Sequence, residues 1–349
     1  MTKIGICGHF GDNHVFLDGQ TIKTKIIANE IKKNFDKKNV KVVDTFGGAR
    51  KIIKHLKGVM YLIVNCDHIV ILPAQNALKV FAPFIYFLNK RYKKTIHYVV
   101  IGGWLPSFVE GRKTLIKQIK SFDYIYVETE TMKKKLSSLG IENVVIMKNC
   151  KQLKTVDEKI MQKKYSTPFK LCTFARITPQ KGVKDIIKAV EYINKKYNKT
   201  VFTLTNYGQV DQNFKKEFDE LLKKSPSYIT YGGTVDFNKS VEVLQNYFAL
   251  VFPTHFFTEG IPGTILDAYA AGIPVICSRW ESFEDVVDDA VTGYGYEFGN
   301  YAELEYILEM IGNNPQMIVD LKKNCIRKSV EYQPDKAIYP LIRRISNVE

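Results

Sequence analysis

Short apolar runs alternate with longer amphipathic stretches through most of the chain. Ile4-Gly5-Ile6-Cys7 has the pattern of a buried strand, and a helical periodicity follows over 21–35. The same reading predicts strands at 41–44, 68–72, 96–101, 124–127 and 144–147. Between them it predicts helices at 49–60, 77–92, 113–120 and 130–139, the last stopped by Gly140. Residues 151–167 break the rhythm, being polar and running up to Pro168. The alternation restarts with strands predicted at 170–174, 201–205, 228–231 and 250–252, and helices at 183–196, 214–224 and 240–247. Further on, 286–287 reads as a short strand, Thr292-Gly293 as a turn and 295–298 as a strand. Helices over 302–311, 315–332 and 336–346 complete the pattern. Strand–helix alternation of this kind predicts parallel sheets covered on both faces.

The expected organisation is a doubly wound N-terminal domain (1–150), a linker (151–167) and a doubly wound C-terminal domain (168–335). A last helical segment, 336–349, is free to return to the first domain. The fold class is α/β, and ligands of such sheets bind at the carboxyl ends of strands, here in a cleft between the domains.

A chain of 349 residues is long for one core, which agrees with two domains. No segment reaches the roughly 18 unbroken apolar residues of a membrane helix. The start, Met-Thr-Lys-Ile-Gly-Ile-Cys, lacks the apolar stretch of a signal peptide and reads as the first strand of a cytoplasmic protein. Six scattered cysteines without a Cys-x-x-Cys pair suit buried thiols rather than disulfides or zinc. The formal charge of +15 is unevenly placed. Residues 1–150 hold 25 Lys/Arg and 11 Asp/Glu, a net of +14, against 26 and 25 in 151–349, a net of +1. Such asymmetry fits an anionic partner for the first half: a membrane surface, a lipid-linked phosphate or a nucleic acid. Solvated lysines with no partner explain it equally well, and composition leaves both open.

Candidate chemistry concentrates in residues 258–278. Glu259, Gly260, Ile261, Pro262 and Gly263 form a Gly-rich loop, Thr264 suits an N-cap, and 265–271 a helix stopped by Gly272 and Pro274. Glu259 and Asp267 stand eight positions apart, one in the loop and one about two turns into the helix. Between them the helix start offers free N–H groups and a positive dipole end. Anion-binding amides flanked by carboxylates suit a molecule with phosphate at one end and hydroxyls at the other, such as a nucleotide sugar. The plain alternative is an ordinary loop–helix–strand unit with a solvated Glu259. Arg176 ends a strand and Lys181-Gly182 precedes a helix, so both cations can project into the cleft. Glycines at 5, 8 and 11 do not make the Gly-x-Gly-x-x-Gly fingerprint, which argues against a dehydrogenase. His9 and His14 read as turn residues. In Gly102-Gly103-Trp104, Trp104 can stack on a sugar face or fill the base of the loop.

These residues resemble family-4 retaining glycosyltransferases of the GT-B fold, two Rossmann-like domains facing across a cleft. That family carries Glu, seven residues, Glu in a Gly-rich loop and helix, followed by Gly-x-Pro-Val. Here Asp267 replaces the second Glu, and Gly272-Ile273-Pro274-Val275 follows. Residues 174–183 are similar to the family's Gly-Arg-x-x-x-x-Lys-Gly segment, with Ala175 for the usual Gly. The Gly19 region is similar to the family's Gly-rich loop beside the donor phosphates and acceptor. Asn149-Cys150 resembles Pro-Asn-Gly before the linker. Gly233, Thr234 and Val235 match the strand-end loop near the nucleobase, and Gly208 follows another strand end. Many members carry a His near 102–104. This chain has none there, so no catalytic His is carried over.

The resemblance implies transfer of a sugar, with retention of configuration, from a nucleotide diphosphate donor (a UDP-sugar favoured) to an acceptor hydroxyl. It implies that Glu259 bonds the donor sugar, the amides of 260–263 hold sugar and phosphate, and Asp267 binds the ribose. Arg176 and Lys181 would neutralise the leaving phosphate, and Gly102, Gly103 and Trp104 would lie on the acceptor side. No cofactor is expected beyond the nucleotide-sugar co-substrate, and no metal, since there is no Asp-x-Asp motif. Without an evident nucleophile, retention points to same-face attack, the departing phosphate taking the acceptor's proton. The acceptor binds mainly the N-terminal domain in this fold. A net of +14 there predicts a lipid-linked or other anionic glycan at the inner face of a membrane, as in bacterial cell-surface polysaccharide assembly, and no nucleic acid. The rivals are a nucleotide-sugar hydrolase or epimerase of the same fold and a basic, non-enzymatic binder of nucleic acid or membrane. The last explains the charge but not the Glu259 unit.

Overall fold

The computed structural model describes residues 2–11, 19–156 and 165–346. His14, Asp18 and residues 157–164 of the expected linker lie outside them. The chain forms two compact units, Met1–Gln152 with Tyr332–Glu349, and Leu153–Glu331.

In the first unit β1 (Ile4–Gly8), α1 (Gly19–Asn34), β2 (Val40–Asp44), α2 (Ile52–Asn65), β3 (His68–Ile71) and α3 (Gln75–Tyr92) come first. Then come β4 (Thr95–Val99), α4 (Leu105–Val109), α5 (Lys113–Ile119), β5 (Tyr124–Val127), α6 (Glu130–Ser138) and β6 (Val144–Ile146). The six strands are parallel, in the order β2-β1-β3-β4-β5-β6. Alternation along each strand sends side chains to two cores. Ile69 and Ile71 join Leu62, Phe81, Ile85 and Ile119 of α2, α3 and α5 on one face. Val70 and Leu72 join Ile27 and Ile31 of α1 on the other. Within the sheet, His68 Nδ1 lies 2.9 Å from His97 Nε2, and His97 Nδ1 lies 3.0 Å from the Tyr126 hydroxyl.

The second unit runs β7 (Phe169–Phe174), α7 (Val183–Lys196), β8 (Phe202–Tyr207), α8 (Lys215–Lys224), β9 (Ile229–Gly233), α9 (Ser240–Leu244) and β10 (Ala249–Phe252). It continues with α10 (Gly263–Ala270), β11 (Val275–Ser278), α11 (Phe283–Val286), β12 (Gly293–Tyr296), α12 (Tyr301–Asn313) and α13 (Gln316–Ser329). Its strands are also parallel, ordered β12-β11-β10-β7-β8-β9. The chain then re-enters the first unit as α14 (Pro334–Ala337) and α15 (Tyr339–Ile345). There Ile338, Leu341 and Ile345 complete the core beneath α1.

Several predicted elements differ: the helix expected over 336–346 is two, α14 and α15, and the strand expected at 295–298 is β12, two residues earlier. Residues 286–287 end the single turn α11 rather than forming a strand. The turn expected at 292–293 lies at 290–292, where the Thr292 N–H donates to the Asp288 carbonyl (2.8 Å), and Gly293 already begins β12. A Cβ on Gly293 would strike the Val275 carbonyl, and one on Gly295 the Phe283 ring. These glycines mark a close approach of β12 to its neighbours, and the reversal lies just ahead of them. Among the described residues, no helix is long and apolar enough to cross a membrane.

Candidate active site

The strand order of the second sheet reverses between β7 and β10, and the carboxyl ends of strands at such a reversal are where ligands of open α/β sheets bind. The β7 loop carries Arg176 and Lys181, and the β10 loop carries Glu259. Gly182 fixes how closely they meet. Its φ is +68°, and a Cβ there would run into the Pro253 carbonyl oxygen. The His255 N–H donates to the Gln180 carbonyl (2.8 Å), tying the loops together. From the other side, Ser278 Oγ donates to the Thr254 carbonyl (2.7 Å) and the Glu281 N–H to that of Phe257 (2.9 Å).

Held this way, Lys181 and Glu259 form a hydrogen-bonded ion pair through Nζ and Oε1. The ammonium also lies 5.2 Å from the centroid of the Phe252 ring, which packs edge-on against Trp280. The side chains keep 24% and 17% of their exposure, enough for a ligand to reach both charges.

The loop continues through buried Gly260, Ile261 and Pro262 into α10. The helix starts at Gly263 with Pro262 at the N-cap, so Thr264 lies in the first turn and does not cap it. The fixed φ of proline suits that boundary, and the Pro262 carbonyl accepts from the Ile265 N–H at 3.0 Å. Asp267, on the next turn, is buried at 4% exposure.

Arg176 is exposed at the end of β7 and has no ion pair among the described residues. Gly208, with φ +137°, packs on the Ala175 carbonyl so closely that a Cβ would collide with it. Its N–H donates to the Gly233 carbonyl (2.9 Å), and its carbonyl accepts from the Tyr231 hydroxyl (2.8 Å). Exposed Thr234 and half-buried Val235 follow. The structure thus brings Lys181 and Glu259 into contact and sets Arg176, Gly208 and Gly233 on adjoining loops of one sheet edge.

Sequence reasoning passed over His255. Its Nε2 lies 2.6 Å from Asp185 Oδ2 and 3.0 Å from the Tyr301 hydroxyl, pinning the β10 loop to the first turn of α7. Phe256 and Phe257, each 49% exposed, stand just ahead of Glu259. The aromatic pair in Thr-His-Phe-Phe-Thr-Glu was the available signal.

The residues expected on the acceptor side lie in the first unit. The Gly102 N–H donates to Glu128 Oε1 (3.0 Å), the same oxygen that accepts from buried Lys23 Nζ (2.6 Å). Trp104 Nε1 donates to the Ile101 carbonyl (2.8 Å), and its ring packs edge-on to Phe108, so it fills the base of its own loop. Gly19 begins α1, two residues before Thr21, whose Oγ1 lies 2.7 Å from His9 Nδ1.

The family described as "Glycosyl transferases group 1" matches residues 154–329. An uncharacterized glycosyltransferase of Methanocaldococcus jannaschii is 24% identical over 190 residues, 53% of this chain and 47% of the relative. The N,N'-diacetylbacillosaminyl-diphospho-undecaprenol alpha-1,3-N-acetylgalactosaminyltransferase of Campylobacter jejuni is 27% identical over 158 residues, 45% of this chain and 39% of the relative. The chain spans less than half the length of these curated relatives. Among solved structures, HepE of Anabaena in complex with UDP-glucose superposes with a TM-score of 0.75 at 14% identity, covering 100% of both chains. At that identity the likeness is one of fold, and the fold is GT-B.

Proposed function

This chain belongs to the glycosyl transferases group 1 family, and from that premise we propose that it moves a sugar from a nucleoside diphosphate donor to an acceptor hydroxyl with retention of configuration. The observation that carries the reading is the contact of Lys181 with Glu259 at the strand-order reversal of the second sheet. A diphosphate competing for Lys181 releases the Glu259 carboxylate to accept hydrogen bonds from the donor's sugar hydroxyls. Arg176 and Lys181 then face the charge that grows on the departing phosphate, where prearranged cations act most strongly. Asp267 takes the ribose hydroxyls, and the amides at the start of α10 hold the sugar–phosphate junction.

In the transfer, the bond from the anomeric carbon to the phosphate oxygen breaks as the bond to the acceptor oxygen forms on the same face. The acceptor's proton passes to the leaving phosphate. A covalent glycosyl–Glu259 intermediate, if trapped, sinks this route. We propose that no metal takes part, so a chelator leaves the rate unchanged.

UDP is the preferred donor nucleotide, in keeping with UDP-glucose in HepE. The acceptor is a lipid-diphosphate-linked glycan, the class named for the Campylobacter relative. The net charge of +14 on residues 1–150 suits that acceptor, as it does a place at the inner face of a membrane in cell-surface polysaccharide assembly.

A thermal-shift panel tests the donor site, because a ligand at 100 times its Kd stabilises by about 2.7 kcal/mol. UDP and UDP-sugars are expected to raise the melting temperature of the wild type, and much less that of Lys181→Ala. A panel in which no nucleoside diphosphate shifts the wild type overturns the reading. Free sugar released without acceptor as fast as transfer with it makes the chain a hydrolase instead.

A further inference from the structure

We propose that the outer face of α2, α3 and α5 is a docking surface for an anionic lipid bilayer. The inference extends the membrane clause of the proposed function. α2 packs on α3, and α3 on α5, over one face of the first sheet. Their outward sides carry large apolar residues that the core does not use: Ile53 (70% exposed), Met60, Tyr61 and Val64 on α2, and Val80 and Phe87 (65%) on α3. The same helices hold seven Lys/Arg, two on α2, three on α3 and two on α5, and no Asp or Glu. The nearest acids lie in flanking turns: Asp67, which accepts from the Lys3 N–H and pairs with Lys94, and Glu110 before α5. α8 of the second unit shows an ordinary solvated helix, with Lys215 paired to Asp219 and Glu217 to Lys184. Soluble surfaces intersperse both signs in that way, and this face does not.

Between α3 and α5 the face opens into a groove of about 590 Å³ whose lining includes Lys79, Arg112 and Lys113 and no carboxylate. Lys79 Nζ lies 5.4 Å and the Arg112 guanidinium 4.7 Å from the Phe108 ring centroid, so two cations stand over one ring at its edge. A lipid phosphate fits such a groove, while exposed aliphatic and aromatic side chains enter the headgroup region and lysines meet the surface charge. Ile53, Met60 and Val64 have no counterpart on a phosphate backbone, which favours a bilayer over a nucleic acid.

Flotation of the full chain with phosphatidylcholine vesicles, with and without phosphatidylglycerol, tests the surface. Binding is expected to be at least about tenfold stronger with the anionic lipid. It should fall about tenfold in Ile53→Ser/Phe87→Ser and in Lys79→Glu/Arg112→Glu, and change less than about twofold in Lys134→Glu/Lys135→Glu on α6, an equal charge change elsewhere. Equal binding to neutral and anionic vesicles overturns the proposal, as does an equal loss in the α6 variant. Tight DNA binding lost in the Lys79/Arg112 variant, without anionic vesicle binding, assigns the face to nucleic acid. The UDP thermal shift, measured in the same variants, reports folding and separates the claims. If it persists while vesicle binding fails in the wild type, only the docking face falls. If it is absent while vesicles bind, only the transferase falls.

Discussion

The ammonium of Lys181 meets a carboxylate on one side and an aromatic ring on the other. A pair this close to solvent contributes about 1 kcal/mol or less to stability. A prearranged hydrogen-bonding group aimed at a reacting centre lowers the barrier by about 2.7–4 kcal/mol. Glu259→Gln keeps the volume and removes the charge, so the two roles separate. Melting should shift by no more than a few degrees while kcat/KM drops about 10²–10³-fold, which steady-state kinetics beside calorimetry would check. An equal-sized loss of stability and none of rate would make the pair a fold contact only. The Lys181–Glu259 contact was foreseeable because each residue sits at a recognisable loop–helix junction. The link from His255 to Asp185 was not, because 70 residues separate them and a side-chain contact across two loops leaves no periodicity.

Among the elements, α1 and the end of β5 are joined by Lys23 and Glu128, each 2% exposed. The carboxylate also receives the Gly102 N–H. Removing one member of a buried pair costs about 3–5 kcal/mol, mostly from the charge left behind, whereas replacing both with apolar residues is often near neutral. Glu128→Ala is therefore expected to lower unfolding stability by about that amount, and Lys23→Met/Glu128→Leu to recover most of it, by urea titration. Additive losses would mean that the two do not act as a pair. Parallel strands were readable from sequence because burial on both faces makes them continuous apolar runs, as in β3 and β10. β12 was placed two residues late, at 295–298, because Gly293 reads as part of the turn when the Val275 backbone it rests against is out of view. The single turn α11 is too short to show a helical period.

At the scale of the whole molecule, acid finds a weak point inside the first sheet. Burial, with His68 and Arg344 nearby, pushes His97 down to about 3, and burial also lowers His68. In the unfolded chain both titrate near about 6.5. Unfolding thus takes up protons below that value, and stability is full above it and falls as pH drops toward the folded value. His97 alone removes about 2 kcal/mol by about pH 5. Denaturant melts across pH 5–7.5 should show this loss, and His97→Gln should flatten most of it; an unchanged slope in the variant would place the effect elsewhere. The return of α14 and α15 to the first unit has a consequence for how the protein is made. The second unit is one unbroken segment and can close as soon as it leaves the ribosome. The floor under α1, where Ile4, Ile6 and Val70 await Ile338, Leu341 and Ile345, stays uncovered until the last turns of helix emerge. The half that is translated first is the half that is finished last.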